Sequence, residues 1–223
     1  MAGRPRRHGH GRRPGLAARR RRARRSRGPR LTPPLDVPAR STTRLFWSTA
    51  LAVIVVDLTS KVLAEQLLAP RYVPHPVIGN FVRFTLAYNP GAAFSMSLGQ
   101  YSRLIFGAFA VIALVVLWRL YKMTGAGARA GDRVRIVALA LAFGGAAGNL
   151  LDRFRSPQGV VDFIDIGLGD VRFWTFNVAD SAVTIGALAL AWSLSREERD
   201  SAAMRTRAQH DADAAPGAPG PKA

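Results

Sequence analysis

An all-α membrane protein with four transmembrane helices, a small extracytoplasmic β-sheet and a disordered arginine-rich N-terminal tail is the fold class the sequence predicts. Three observations lead there. Four apolar segments, at about 45–67, 103–121, 134–151 and 177–195, each fall in or near the ~17–25 residues that a helix needs to cross a ~30 Å hydrocarbon core. The positive charge is segregated: of a formal net charge of +18, residues 1–30 supply 13 arginines and no acid, leaving about +5 for the rest of the chain. The connections between the apolar segments differ in charge, which gives the helices a direction.

Residues 1–40 are rich in Arg, Gly and Pro and show no apolar periodicity, so they read as a disordered basic tail. The membrane domain spans 41–195, and Ser41-Thr42-Thr43 is suited to cap its first helix. The polar stretch 196–223, ending in APGAPGPKA, reads as a second disordered tail. The N-terminal tail and the 122–135 connection (Lys122, Arg129, Arg133, Arg135 against Asp132) are basic. In the 152–176 connection Arg153, Arg155 and Arg172 are offset by Asp152, Asp162, Asp165 and Asp170. The positive-inside rule then places both termini in the cytoplasm and the two longer loops outside. A signal-peptide core is the alternative for the first segment, but that segment is too long and contains Asp57 and Lys61. The outer loops are patterned too. Val82, Phe84, Leu86 and Tyr88 alternate with Arg83, Thr85 and Ala87, and 171–176 (VRFWTF) alternates similarly, so two short strands are expected to pair outside the membrane.

There is no cysteine, which removes disulfides, thiolate-bound metals and thiol nucleophiles. The four histidines, His8, His10, His75 and His210, have no evident partners. No metal and no cofactor are expected, and hydrolytic chemistry would have to come from carboxylates.

Polar residues inside the apolar segments are therefore informative, because an ionisable group at mid-bilayer costs ~2.5–3.5 kcal/mol or more. Asp57 and Lys61 share a helix face at i and i+4. They are either an ion pair that lowers its own insertion cost or the brace of a polar site between helices. Gly144 and Gly148 form a GxxxG pair that lets helix backbones approach, and Asn149, Asp152 and Arg153 follow on one face. The fourth segment opens with Asn177, Asp180, Ser181 and Thr184. Asp180 near a helix N-terminus is explained by capping and the helix dipole. Capping does not explain a second acid, Asp162, in the string VVDFID. Two carboxylates within hydrogen-bond reach share one proton, so one can activate water while the other protonates a scissile carbonyl.

Five blocks in order, Asp57 with Lys61, Asn89-Pro90-Gly91-Ala92-Ala93-Phe94-Ser95, Gly148-Asn149-Leu150-Leu151-Asp152-Arg153, Val160-Val161-Asp162-Phe163 and Phe176-Asn177-Val178-Ala179-Asp180-Ser181, resemble the motifs of the lipoprotein signal peptidases (type II signal peptidases). The resemblance covers about 45–195. It implies a four-helix aspartyl protease of the bacterial cytoplasmic (inner) membrane with both termini cytoplasmic. Its partners would be membrane lipid and prolipoproteins whose lipobox cysteine carries diacylglyceryl, cleaved before that cysteine. By position, Asp162 and Asp180 match the catalytic pair. Asp57, Lys61, Asn89, Gly91, Asn149, Arg153 and Asn177 match the residues that support the site or bind substrate, and 68–102 the region that cradles it.

Two other readings start from the same residues. A transporter or proton pathway would use Asp57, Lys61, Asp162 and Asp180 as relays. Nucleic-acid binding would use the arginine tail, although such a run more often orients the chain against anionic lipid, and no specific nucleic acid is expected.

Overall fold

The computed structural model describes residues 39–91, 101–125 and 132–213. The expected tail at 1–40 lies outside them up to residue 38, as do 92–100, 126–131 and 214–223. Four long helices form an up-and-down bundle: α1 (Ala39–Leu67), α2 (Ser102–Gly125), α3 (Asp132–Arg155) and α4 (Val178–Asp213). All four are long and apolar enough to cross a membrane.

The four helices do not share the burial equally. α3 is the inner one, with Ile136, Leu139, Ala140, Gly144, Gly145, Gly148 and Asp152 all buried. Its small residues explain why. A Cβ on Gly144 would stand 2.8 Å from the Ala50 carbonyl of α1, and one on Gly145 2.4 Å from the Ala179 carbonyl of α4. Bare backbone at these positions sets the helix spacing. α2 instead exposes Leu104, Phe109, Ile112, Val115 and Val116, an apolar surface that suits contact with lipid. At the end where α1 and α3 begin, Phe46 stacks on Tyr121 at 4.1 Å, with Trp118 and Phe143 edge-on or tilted around it.

The sheet covers the other end of the bundle. It has four antiparallel strands in the order β1-β2-β3-β4: β1 (Pro74–Ile78), β2 (Val82–Asn89), β3 (Val160–Leu168) and β4 (Val171–Arg172). The expected strand at 82–88 is present, but it does not pair with 171–176. β3 lies between them, and regular pairing after it ends at Arg172, with Phe176 returning through an isolated bridge to Ile164. The sequence hid β3 because Val160, Val161, Asp162 and Phe163 are all buried, so no alternation appears. β1, with Pro74 and Pro76, is an edge strand, where proline is tolerated. Alternation along β2 is also broken by a bulge between Phe84 and Ala87. Leu86, Val161 and Phe163 pack on Ala64 and Leu68, which fastens the sheet to the end of α1.

A second correction concerns 196–213, expected to be unfolded. α4 continues through it to Asp213. Its 36 residues correspond to about 54 Å at ~1.5 Å per residue, so nearly half of its length extends past a ~30 Å core. Ala202, Ala203, Ala208 and the Arg196–Asp200 spacing favour a helix by propensity and i,i+4 pairing, without any apolar face. Arg135 of α3 also ion-pairs with Glu197 and ties the extension to the bundle.

Candidate active site

The polar residues singled out in the sequence converge where α1 and α3 end, α4 begins and the sheet docks. Asp57 and Lys61 are fully buried. The Lys61 ammonium donates to Asp57 Oδ2 at 2.7 Å and to Asn149 Oδ1 at 2.9 Å, and pairs with Asp152 Oδ2 at 2.8 Å. Its three donors are thus all used on two helices. Asp57 Oδ1 accepts the Ala179 N–H at 2.9 Å, one of the unpaired donors at the start of α4. The two readings of Asp57 and Lys61 are both realised: they are an ion pair and also the brace that joins α1 to α3 and α4.

Asn177 immediately precedes α4 and caps it. Its Oδ1 accepts the Asp180 N–H at 2.9 Å while Asp180 Oδ2 accepts the Asn177 N–H at 3.2 Å, a reciprocal arrangement of the capping-box kind. The Asn177 amide is left to donate elsewhere, to Asp162 Oδ1 at 2.7 Å, Asn149 Oδ1 at 3.1 Å and the Val161 carbonyl at 3.2 Å. Asn149 Nδ2 donates to Asp180 Oδ1 at 2.7 Å. Asp180 therefore caps the helix and also belongs to the same network as Asp162.

Asp162 reaches this point from β3, opposite Ala87 of β2. Asn89 hydrogen-bonds it from the end of β2. The Asn89 oxygen is held by the Gly91 N–H at 3.0 Å. Gly91 sits at φ +113°, and a Cβ there would lie 2.7 Å from the Phe106 ring, so glycine is needed both for conformation and for space. Burial, and then the charge of Asp180, push the Asp162 carboxyl up to about 7, against hydrogen bonds from Asn177 and Asn89 and the charge of Lys61. Arg153 is held by the Asn149 carbonyl at 2.9 Å and acts electrostatically on Asp180, Asp162 and Asp152. Among the described residues it makes no ion pair with either Asp162 or Asp180.

Asp162, Asp180 and Asn89 line a cavity of about 870 Å³ whose other walls include Tyr72, Tyr88, Phe173, Trp174 and Ile185. It is mostly apolar with two carboxylates at one side, a shape suited to an amphipathic ligand. Among the described residues no group of three or more His, Asp or Glu is arranged to hold a metal ion.

Sequence reasoning left Asp152 out of the site. It is fully buried, pairs with Lys61 and Arg155, and accepts the Val161 N–H at 3.2 Å, which links α3 to the strand carrying Asp162. Its place three residues after Asn149, on the face that meets Lys61, was the available signal. Gly148 is a packing residue, as expected, but its neighbour is Asp57 Oδ2, 2.5 Å from where a Cβ would stand. Gly148→Ala is expected to push Asp57 off the Ala179 N–H and to lower stability by about 1–3 kcal/mol, measured as a drop in unfolding temperature in detergent.

Among the described residues, the ionisable groups buried in α1 and α3 gather at this one end and form no series across the bilayer, which speaks against a relay pathway. Residues 49–196 match the family model described as signal peptidase (SPase) II. The chain is 40% identical to the lipoprotein signal peptidase of Mycobacterium avium over 71% of its length and 82% of that protein. It is 37% identical to that of Geobacter sulfurreducens over 71% of its length and 96% of the relative, and 43% identical to that of Coxiella burnetii over 65% and 85%. A bacterial membrane enzyme solved by the in meso method superposes with a TM-score of 0.60 at 27% identity, over 74% of this chain and 93% of that one. The chain belongs to the signal peptidase II family of lipoprotein signal peptidases, and is a bacterial multi-pass membrane protease.

Proposed function

We propose that the chain removes signal peptides from diacylglyceryl-modified prolipoproteins, cleaving before the modified cysteine, with Asp162 and Asp180 as the catalytic dyad. The observation that carries this is the single residue Asn177, which donates its side-chain amide to one carboxylate and its backbone N–H to the other at the wall of an 870 Å³ cavity. Asp180 accepts N–H donors on both oxygens, so it is assigned as the base. Asp162, whose surroundings hold its proton to about pH 7, is assigned as the acid. Water attacks the scissile carbonyl carbon as Asp180 takes its proton, and Asp162 protonates the carbonyl oxygen. The C–N bond then breaks as the departing amine takes a proton back from the dyad.

The location fits such a substrate. With both termini cytoplasmic, as the loop charges indicate, the site end of the bundle faces outward. Two acyl chains would hold the modified cysteine in the outer leaflet, and the apolar segment of the signal peptide is itself in the bilayer. The scissile bond would then lie at the lipid–water boundary, beside Phe173 and Trp174, which are exposed at the cavity rim. A gel-shift assay with lipid-modified and unmodified precursor tests the reading: only the modified precursor should be cut. Equal cleavage of both would point to general proteolysis.

A further inference from the structure

We propose that Asp165 is a positioning residue, which pins a bulge in β2 and so sets the register at which β3 presents Asp162 beside Asp180. The inference rests on the dyad reading above.

Asp165 is buried, three residues beyond Asp162 on β3, and does not line the cavity. Elements from all over the sheet converge on it. Arg83 of β2 donates from Nε at 2.9 Å and Nη2 at 2.7 Å to Oδ2, and Thr85 Oγ1 donates to the same oxygen at 3.2 Å. Arg172 of β4 donates from Nε to Oδ1 at 2.8 Å and from Nη2 to the Asp165 carbonyl at 3.2 Å. The same guanidinium reaches the Asn80 carbonyl in the β1–β2 turn at 2.6 Å. Charge-assisted bonds with Arg forks are both strong and directional. Although burial works the other way, Arg83 and Arg172 hold the Asp165 carboxyl below its ordinary range, so the clamp stays charged across neutral pH.

What the clamp holds is visible in the register. Arg83 stands opposite Asp165 and Phe84 opposite Ile164, but Ala87 stands opposite Asp162, Tyr88 opposite Val161 and Asn89 opposite Val160. Thr85 and Leu86 together face the one residue Phe163. The extra residue lies between the clamp and Asp162, and Thr85, one of the two bulged residues, is itself bonded to Asp165. If the bulge were lost, pairing would slip by one residue, bringing Asn89 opposite Gly159 and Ala87 opposite Val161. Asn89 would then leave Asp162, since one step of register turns every following side chain to the other face. Holding the bulge is thus a condition for Asp162 to keep its place.

The test uses the full-length protein in detergent with a diacylglyceryl-modified precursor, comparing Asp165→Asn and Thr85→Val with the unaltered chain. Neither substitution touches the charged groups around Asp162, namely Asp180, Lys61 and Arg153. Asp165→Asn is expected to lower kcat by about 10- to 100-fold, given that a displacement of ~1 Å can cost ~10²-fold, with KM within about twofold. Thr85→Val should lower kcat several-fold with only a small drop in Tm, of the size that the loss of one hydrogen bond gives. In both, the alkaline limb of the pH–rate profile should move from its place in the unaltered chain, because Asp162 would change both its distance from Asp180 and its hydrogen bond from Asn89. A folded variant with unaltered kcat overturns the proposal, and so does a loss of kcat with the limb unmoved, since that is what simple destabilisation would give. If Asp165→Asn does not fold, Thr85→Val decides by the same two readouts. Normal cleavage by Asp162→Asn would instead show that the dyad reading itself is wrong.

Discussion

Lys61→Met is expected to lower the stability of the helix bundle by on the order of 3–5 kcal/mol. Methionine has nearly the length and volume of lysine, so the effect isolates charge. In the intact protein one ammonium, fully shielded from solvent, satisfies two carboxylates and an amide oxygen, at 2.7, 2.8 and 2.9 Å. Without it, Asp57 is left with no cationic partner and Asp152 with Arg155 alone, two like charges buried together where α1 packs on α3. Asp57 caps α4 through Ala179 and Asp152 holds Val161 of β3, so the damage would spread to both elements that carry the dyad. Against a typical stability of ~5–15 kcal/mol, the loss should appear as a large drop in unfolding temperature in detergent. Adding Asp152→Leu should recover part of that stability, because it removes the like charge beside Asp57. It should not recover all of it, because the Val161 N–H loses its acceptor, and it should not restore cleavage, because Asn149 stays without its lysine donor. A Lys61→Met protein that melts with the unaltered chain would mean that the network contributes little.

The legibility of this protein in its sequence follows the range of the forces involved. The four helices could be read because crossing a bilayer imposes a length on each segment separately. Asp57 with Lys61 and Asn177 with Asp180 could be paired because they are one helical turn or one cap apart. The roles of Asp152 and Asp165 could not. Asp152 meets Lys61 only through the packing of α3 on α1, and Asp165 meets Arg83 only across a ladder whose second strand was itself unread. β3 escaped detection for a related reason: a strand buried on both faces has no alternation, and two acids interrupted what would otherwise be an apolar run. The helix over 196–213 was missed differently. A stretch rich in Ala, Arg and Glu is compatible with either helix or coil, and what decides is attachment to α3 through Arg135 and Glu197.

Asp162→Asn and Asp180→Asn are each expected to lower cleavage of a diacylglyceryl-modified precursor by about 10²–10⁴-fold, read by gel shift, yet to differ in stability. An asparagine at 162 can keep its oxygen on the Asn177 amide, and it removes a carboxylate whose ionised form is disfavoured by burial, so its unfolding temperature should stay close to that of the unaltered chain. At 180 both oxygens accept N–H donors, from Asn149 and from the backbone of Asn177. An amide there must turn its NH₂ toward one of them, at a cost of about 1–3 kcal/mol. The unaltered enzyme should lose activity as pH rises through about 7, where Asp162 gives up its proton. The sign is fixed by the assignment: below that pH the pair carries the one proton it needs for the carbonyl oxygen, and above it both groups are bases. Normal processing by either variant would remove the dyad. Activity that rises through pH 7 would keep the two residues but reverse their roles, leaving Asp162 as the base that becomes competent only once deprotonated.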